Sequence, residues 1–126
     1  MYMPAVRGGR EVRRVRFGPY VATIRKDLES TGQVGYLYVM TVVGGVEQKV
    51  CLCVASEVNE LHGDGMGGSH FLCTFTEQGH SNFGDSDDWA DLGKFAEKAI
   101  AIAKQLLRAE NEAVVEDARK PWWKPW

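Results

Sequence analysis

Apolar and polar positions alternate at a period of two over much of the first 77 residues, and a three-four apolar spacing takes over beyond residue 86. The first period marks strands with one face on a core; the second marks an amphipathic helix. Residues 12–17 and 20–26 form the first extended segment, broken by Gly18-Pro19. Pro19 has no amide hydrogen for a ladder, so this segment is expected at a sheet edge or a bulge. Residues 34–43 are rich in Val and Tyr and apolar on both faces, as in a central strand covered from two sides. Gly44-Gly45 then reads as a tight hairpin turn. Residues 46–58 put Val46, Val50, Leu52, Val54 and Val58 on one face, with Glu47, Lys49, Cys51, Cys53 and Glu57 on the other. Residues 70–77 make a fourth strand with Phe71, Cys73 and Phe75 on one side, and residues 78–84 read as a loop.

Leu92, Phe95, Ala99, Ile102, Leu106, Ala109 and Ala113 form one seam. It predicts a helix over about 86–112, on the order of 40 Å long. Asp85 or Ser86 would cap it, Phe83 and Trp89 would anchor either side of the cap, and Asp87, Asp88 and Asp91 favour the positive end of its dipole. A four-stranded sheet is only about 20 Å across. The helix is therefore expected to overhang the sheet, and covering the exposed seam calls for a homodimer. The expected fold class is α+β: a four- or five-stranded antiparallel meander followed by one long C-terminal helix packed on the sheet. One domain would span 1–126, with a basic N-terminal segment at 1–26, the sheet at 34–77, the helix and a Trp/Pro-rich tail at 118–126. The order strand-strand-strand-strand-helix recurs in unrelated binding folds and assigns no function.

Charge changes this picture more than composition does. Residues 1–26 carry seven cations against one anion, whereas the remaining hundred residues carry eight cations and sixteen anions. The net charge of −2 hides that split. A basic segment joined to an acidic body implies a partner for the arginines: a polyanion, a protein, or the acidic body of a second copy. Arg7, Arg10, Arg13, Arg14 and Arg16 are the candidate binding residues. Trp122, Trp123 and Trp126 join them as a candidate surface of the tail, where burial of two indoles would be worth several kcal/mol at about 25 cal/mol per Å². Nucleic acid is a weaker expectation, because single-strand binding usually brings aromatics and only Phe17 and Tyr20 accompany the arginines.

Three cysteines, Cys51, Cys53 and Cys73, are an odd number and argue against a disulfide framework. Cys51 and Cys53 lie two apart on a strand and are expected on one face, filling small buried space. Zinc would ask for four ligands in a turn-like spacing, so no metal and no cofactor is expected. Residues 63–68 satisfy the formula G-x-G-x-x-G, but they fall between two strands rather than before a helix. A hairpin loop explains them better than dinucleotide binding does. His62, Asp64, His70 and His80 cluster in sequence around this loop and are the only candidates for acid–base chemistry; no nucleophile accompanies them. The start of the chain shows no apolar run of the signal-peptide kind, and residues 34–43 are half the length of a membrane span. The expectation is a cytoplasmic, non-catalytic binding or interaction module, forming a homodimer and contacting a protein partner or polyanion, with membrane association unlikely. The alternative is a small enzyme or small-ligand-binding domain with a sheet–helix pocket using the loop histidines.

Overall fold

The computed structural model describes residues 3–44, 48–61, 67–109 and 114–116. Six strands run as an antiparallel meander: β2 (Arg10–Phe17), β3 (Tyr20–Lys26), β5 (Tyr36–Gly44), β6 (Lys49–Val58), β7 (His70–Thr76) and β8 (Gly79–Ser86). A three-residue strand, β9 (Val114–Glu116), lies along the outer edge of β2. Two short strands, β1 (Val6–Arg7) and β4 (Glu29–Ser30), pair with each other in a separate two-stranded sheet. One helix, α1 (Leu92–Leu106), packs across β5 and β6. The fold is α+β as expected, but the sheet is larger than four or five strands.

Pro19 sits in the turn joining β2 to β3, where Gly18 takes a φ of 58°, so its missing amide costs the ladder nothing. β5 is central, and consecutive residues Val39 and Met40 are buried on its opposite faces. The turn expected at Gly44-Gly45 lies partly outside the described residues. Residues 79–86, expected as a loop up to Gly84, form β8. Their Gly, His, Ser and Asn carry no apolar alternation, because this edge strand is exposed over most of its length.

Two apolar layers hold the sheet. Val15, Phe17, Ala22, Ile24, Met40, Val42, Leu52, Val54 and Leu72 face α1, which contributes Phe95, Ala96, Ala99, Ile102 and Ala103. On the opposite face, Val39, Cys53, Ala55, Cys73 and Phe75 form a second cluster, partly roofed by Val6 and Leu28. Cys51 and Cys53 therefore do not share a face. The register of β5 on β6 shifts between Val42 and Val43, which pair with Leu52 and Val50 and leave Cys51 as the extra residue. That bulge turns Cys51 toward the helix layer and Val50 into the opposite cluster.

The helix also begins later and ends sooner than its seam implies. Ser86 caps a separate 3₁₀ turn over Asp87–Ala90, accepting from the Asp88 amide at 3.0 Å. Asp91 then caps α1, accepting from the Lys94 amide at 2.8 Å. At the far end Arg108 adopts a φ of 57°, while the Ala109 amide reaches the Lys104 carbonyl (2.7 Å) and the Arg108 amide reaches that of Gln105 (3.2 Å). These paired bonds are a Schellman stop. At 15 residues the helix is about 22 Å long, and six strands span about 29 Å, so the predicted overhang does not occur. Phe83, expected as an anchor of the helix cap, is 48% exposed on β8, whereas Trp89 packs against the helix-side core.

Candidate functional site

The sheet face away from α1 gathers the chemistry. Cross-strand register sets one rank from edge to edge: Arg14, Thr23, Thr41, Cys53, Phe75 and His80. A neighbouring rank runs Arg25, Val39, Ala55, Cys73 and Asn82. Because Val15 and Phe17 face the helix, strand alternation sends Arg14 and Arg16 to this same face. The face is thus basic along β2 and β3, with Cys, Glu and His along β6 to β8.

The five sequence-predicted arginines do not form a single stripe. Arg7 bonds Glu29 at 2.6 Å, and this partner raises its already high pKa. Arg10 lies 3.5 Å from Asp27. Arg13 turns to the helix side, where it lines a shallow groove of about 420 Å³ with Glu97, Ile100 and Lys104. Arg14 Nε donates to Glu11 at 3.1 Å. Arg14 and Arg16 remain on the open face, joined by Arg25, whose guanidinium donates to the Gly8 carbonyl at 2.8 Å. Arg25 belongs with them through its register on β3, a signal available only once the strand pairing is known. Arg7, Arg10 and Arg14 therefore meet acids of the same chain that follow or interrupt the basic segment.

His70 and His80 fall at opposite ends of the β7–β8 ladder. His70 Nδ1 lies 2.8 Å from the Ser69 hydroxyl. His80 stacks on Phe75, with ring centroids 4.7 Å apart and planes inclined by 28°. The layer between sheet and helix at Met40, Leu52 and Phe95 is filled by these fully buried side chains. His62, Asp64, Trp122, Trp123 and Trp126 lie outside the described residues.

One constellation was not foreseen. Glu57, Cys73 and His80 stand on three adjacent strands with their potential ligand atoms all within 4.8 Å of one another. The Cys73 thiol donates toward Glu57 Oε2 at 3.8 Å. Burial, reinforced by the adjacent Glu57 carboxylate, pushes the Cys73 thiol up to about 12. Burial likewise raises Cys53 to about 11. A carboxylate, a thiol and an imidazole are the donors that could hold a metal here. The separations of 16 and 7 residues follow no turn-like metal spacing, so only the strand register could have shown them.

Gly68 and Ser69, where the glycine run ends, are held by the acids that follow them. Asp85 Oδ2 accepts from the Gly68 amide, and Asp87 Oδ1 accepts from the Ser69 amide at 2.8 Å. Asn59 Nδ2 donates to the Gly68 carbonyl at 2.8 Å. Two carboxylates expected at a helix start thus hold the beginning of β7. No protein-family model matches this chain, and no significant match to it was found among curated proteins or solved structures.

Proposed function

We propose that the chain is a non-catalytic binding module that engages an extended anionic partner through Arg14, Arg16 and Arg25 on the open sheet face. The observation that carries this reading is the placement of three guanidinium groups on two neighbouring strands of one face. Guanidinium forks match both phosphate and carboxylate oxygens, so the shared chemistry of the partner is a run of closely spaced anions. The Thr23 position beside Arg14 adds a hydroxyl group to the same rank.

Three ionic contacts at most, one of them made by Arg14 in exchange for its bond to Glu11, define a weak, salt-sensitive binder. With a single-stranded nucleic acid the slope of log K against log salt is about −0.7 per contact, or roughly −2 for three. Affinity should then fall roughly 20-fold between 50 and 200 mM salt. Fluorescence anisotropy with labelled single-stranded DNA and with labelled poly-glutamate distinguishes the two anion sources. The Arg14→Glu/Arg16→Glu double variant should lose binding to whichever probe binds. Equal binding by this variant and the parent, or no salt-dependent binding of either probe, overturns the reading.

The homodimer belongs to the same proposal, and its support is now the outer edge of β8 rather than a helix overhang. That strand ends the sheet and contains neither Lys nor Pro, the residues that usually blunt an edge. Light scattering that gives a monomer mass removes this part of the proposal and leaves the arginine face standing.

A further inference from the structure

We propose that Glu57, Cys73 and His80 form a binding site for one thiophilic divalent metal ion of the zinc class. The three residues lie on a single diagonal of the sheet. Glu57 pairs with Phe71 and Ala55 with Cys73, which makes Glu57 and Cys73 diagonal neighbours; Cys73 pairs with Asn82 and Phe75 with His80, which continues the same step onto β8. Diagonal neighbours on one face lie within reach of long side chains, so three strands deliver three donors to one point.

The separations suit a small ion. Zinc–sulfur and zinc–oxygen bonds of about 2.3 and 2.1 Å at a tetrahedral angle put sulfur and oxygen about 3.6 Å apart. Cys73 Sγ and Glu57 Oε2 are already 3.8 Å apart. The remaining separations, at most 4.8 Å, close by about 1 Å if the imidazole swings inward. His80 is free to make that adjustment, because it is exposed on the edge strand, while Cys73 is fully buried and fixes the inner corner. Stacking on Phe75 limits the plane in which the imidazole can move, the role that supporting groups play around metal-bound histidines.

The donor set narrows the ion. Thiolate with imidazole selects zinc and its neighbours over magnesium and calcium, which take oxygen alone. Binding replaces the thiol proton by the metal and releases that proton to solvent. Three protein donors leave a fourth position, on the exposed His80 side, for water or an added ligand. This inference stands apart from the arginine face and would survive its failure.

Titration of the reduced, chelator-treated chain with Co²⁺ tests it. One equivalent should produce a sulfur-to-cobalt charge-transfer band with the visible bands of tetrahedral cobalt, and Zn²⁺ should displace it at one equivalent. Cys73→Ser should abolish the charge-transfer band, with circular dichroism to confirm folding. His80→Gln, at an exposed position, should weaken Co²⁺ binding at least tenfold, as should Glu57→Gln. Cys51→Ser should leave the band unchanged. The proposal is overturned if no such band appears, if Cys51→Ser removes it, or if His80→Gln binds Co²⁺ as tightly as the parent.

Discussion

Gly68 shows what a residue can mean that its motif does not. In sequence it closes an accidental G-x-G-x-x-G; in the fold it is the point at which the chain re-enters the sheet against β8. A Cβ on Gly68 would meet the backbone of Ser86 at 2.5 Å from Cα and 2.6 Å from nitrogen. Backbone atoms cannot rotate away, so the strands must part. Gly68→Ala should therefore cost several kcal/mol, at the upper end of what single substitutions do. Chemical denaturation that finds a loss below about 1 kcal/mol would show that the β8 end yields easily. Cys51 and Cys53 make the same point about side chains. A period of two puts them on one face, and only the extra residue of a bulge separates them, a feature with no signature in the spacing itself.

At the scale of elements, legibility followed alternation and failed where it was absent. β2, β3, β5, β6 and β7 came through because each carries an apolar face. β8 did not, since an exposed edge strand needs no apolar residues to be held by its neighbour's ladder. The two-stranded pair β1–β4 and the three-residue β9 are too short to show a period. In the helix, the seam was legible at Phe95, Ala99 and Ile102, but Leu106, expected on it, is 47% exposed while Ile100 and Ala103 are buried, and the ends were not legible. Ser86 is as good a cap as Asp91, and which one opens the α-helix depends on the 3₁₀ turn that Tyr38 and Ser56 hold through the Ala90 and Trp89 carbonyls at 3.1 and 2.7 Å. Replacing the true cap, Asp91→Ala, should cost about 1 kcal/mol. The C-terminal stop was hidden because Arg108 occupies the left-handed position that Gly usually fills. Arg108→Gly should accordingly raise stability by about 0.5–1 kcal/mol, read as a higher urea midpoint at unchanged slope. A lower midpoint would mean that the Arg108 side chain contributes more than its backbone costs.

In the whole molecule, the charge split and the cysteines acquire different meanings. The split is real in sequence, yet Glu11, Asp27 and Glu29 meet Arg14, Arg10 and Arg7 within the same chain, and β2 divides its remaining arginines between two faces. Linear charge counting has no access to that division. The cysteines belong to the second apolar layer, so part of the global stability should be linked to thiol protonation. Cys53 is raised from 9.0 to about 11 by burial, which disfavours its thiolate in the native state. Between those values the unfolded chain has lost a proton that the native chain keeps, so stability is fully present below pH 9 and falls as pH rises toward 11. The Cys53 contribution lost by about pH 10.5 is roughly 2 kcal/mol. Cys73, raised to about 12, adds a loss of the same sign. Urea midpoints at pH 8 and about pH 10.5 should differ accordingly in the parent, and Cys53→Ala, though less stable at pH 8, should lose roughly 2 kcal/mol less over the same interval. If the two proteins lose stability equally, the alkaline weakness lies outside the thiol layer and Cys53 ionises without opening the sheet.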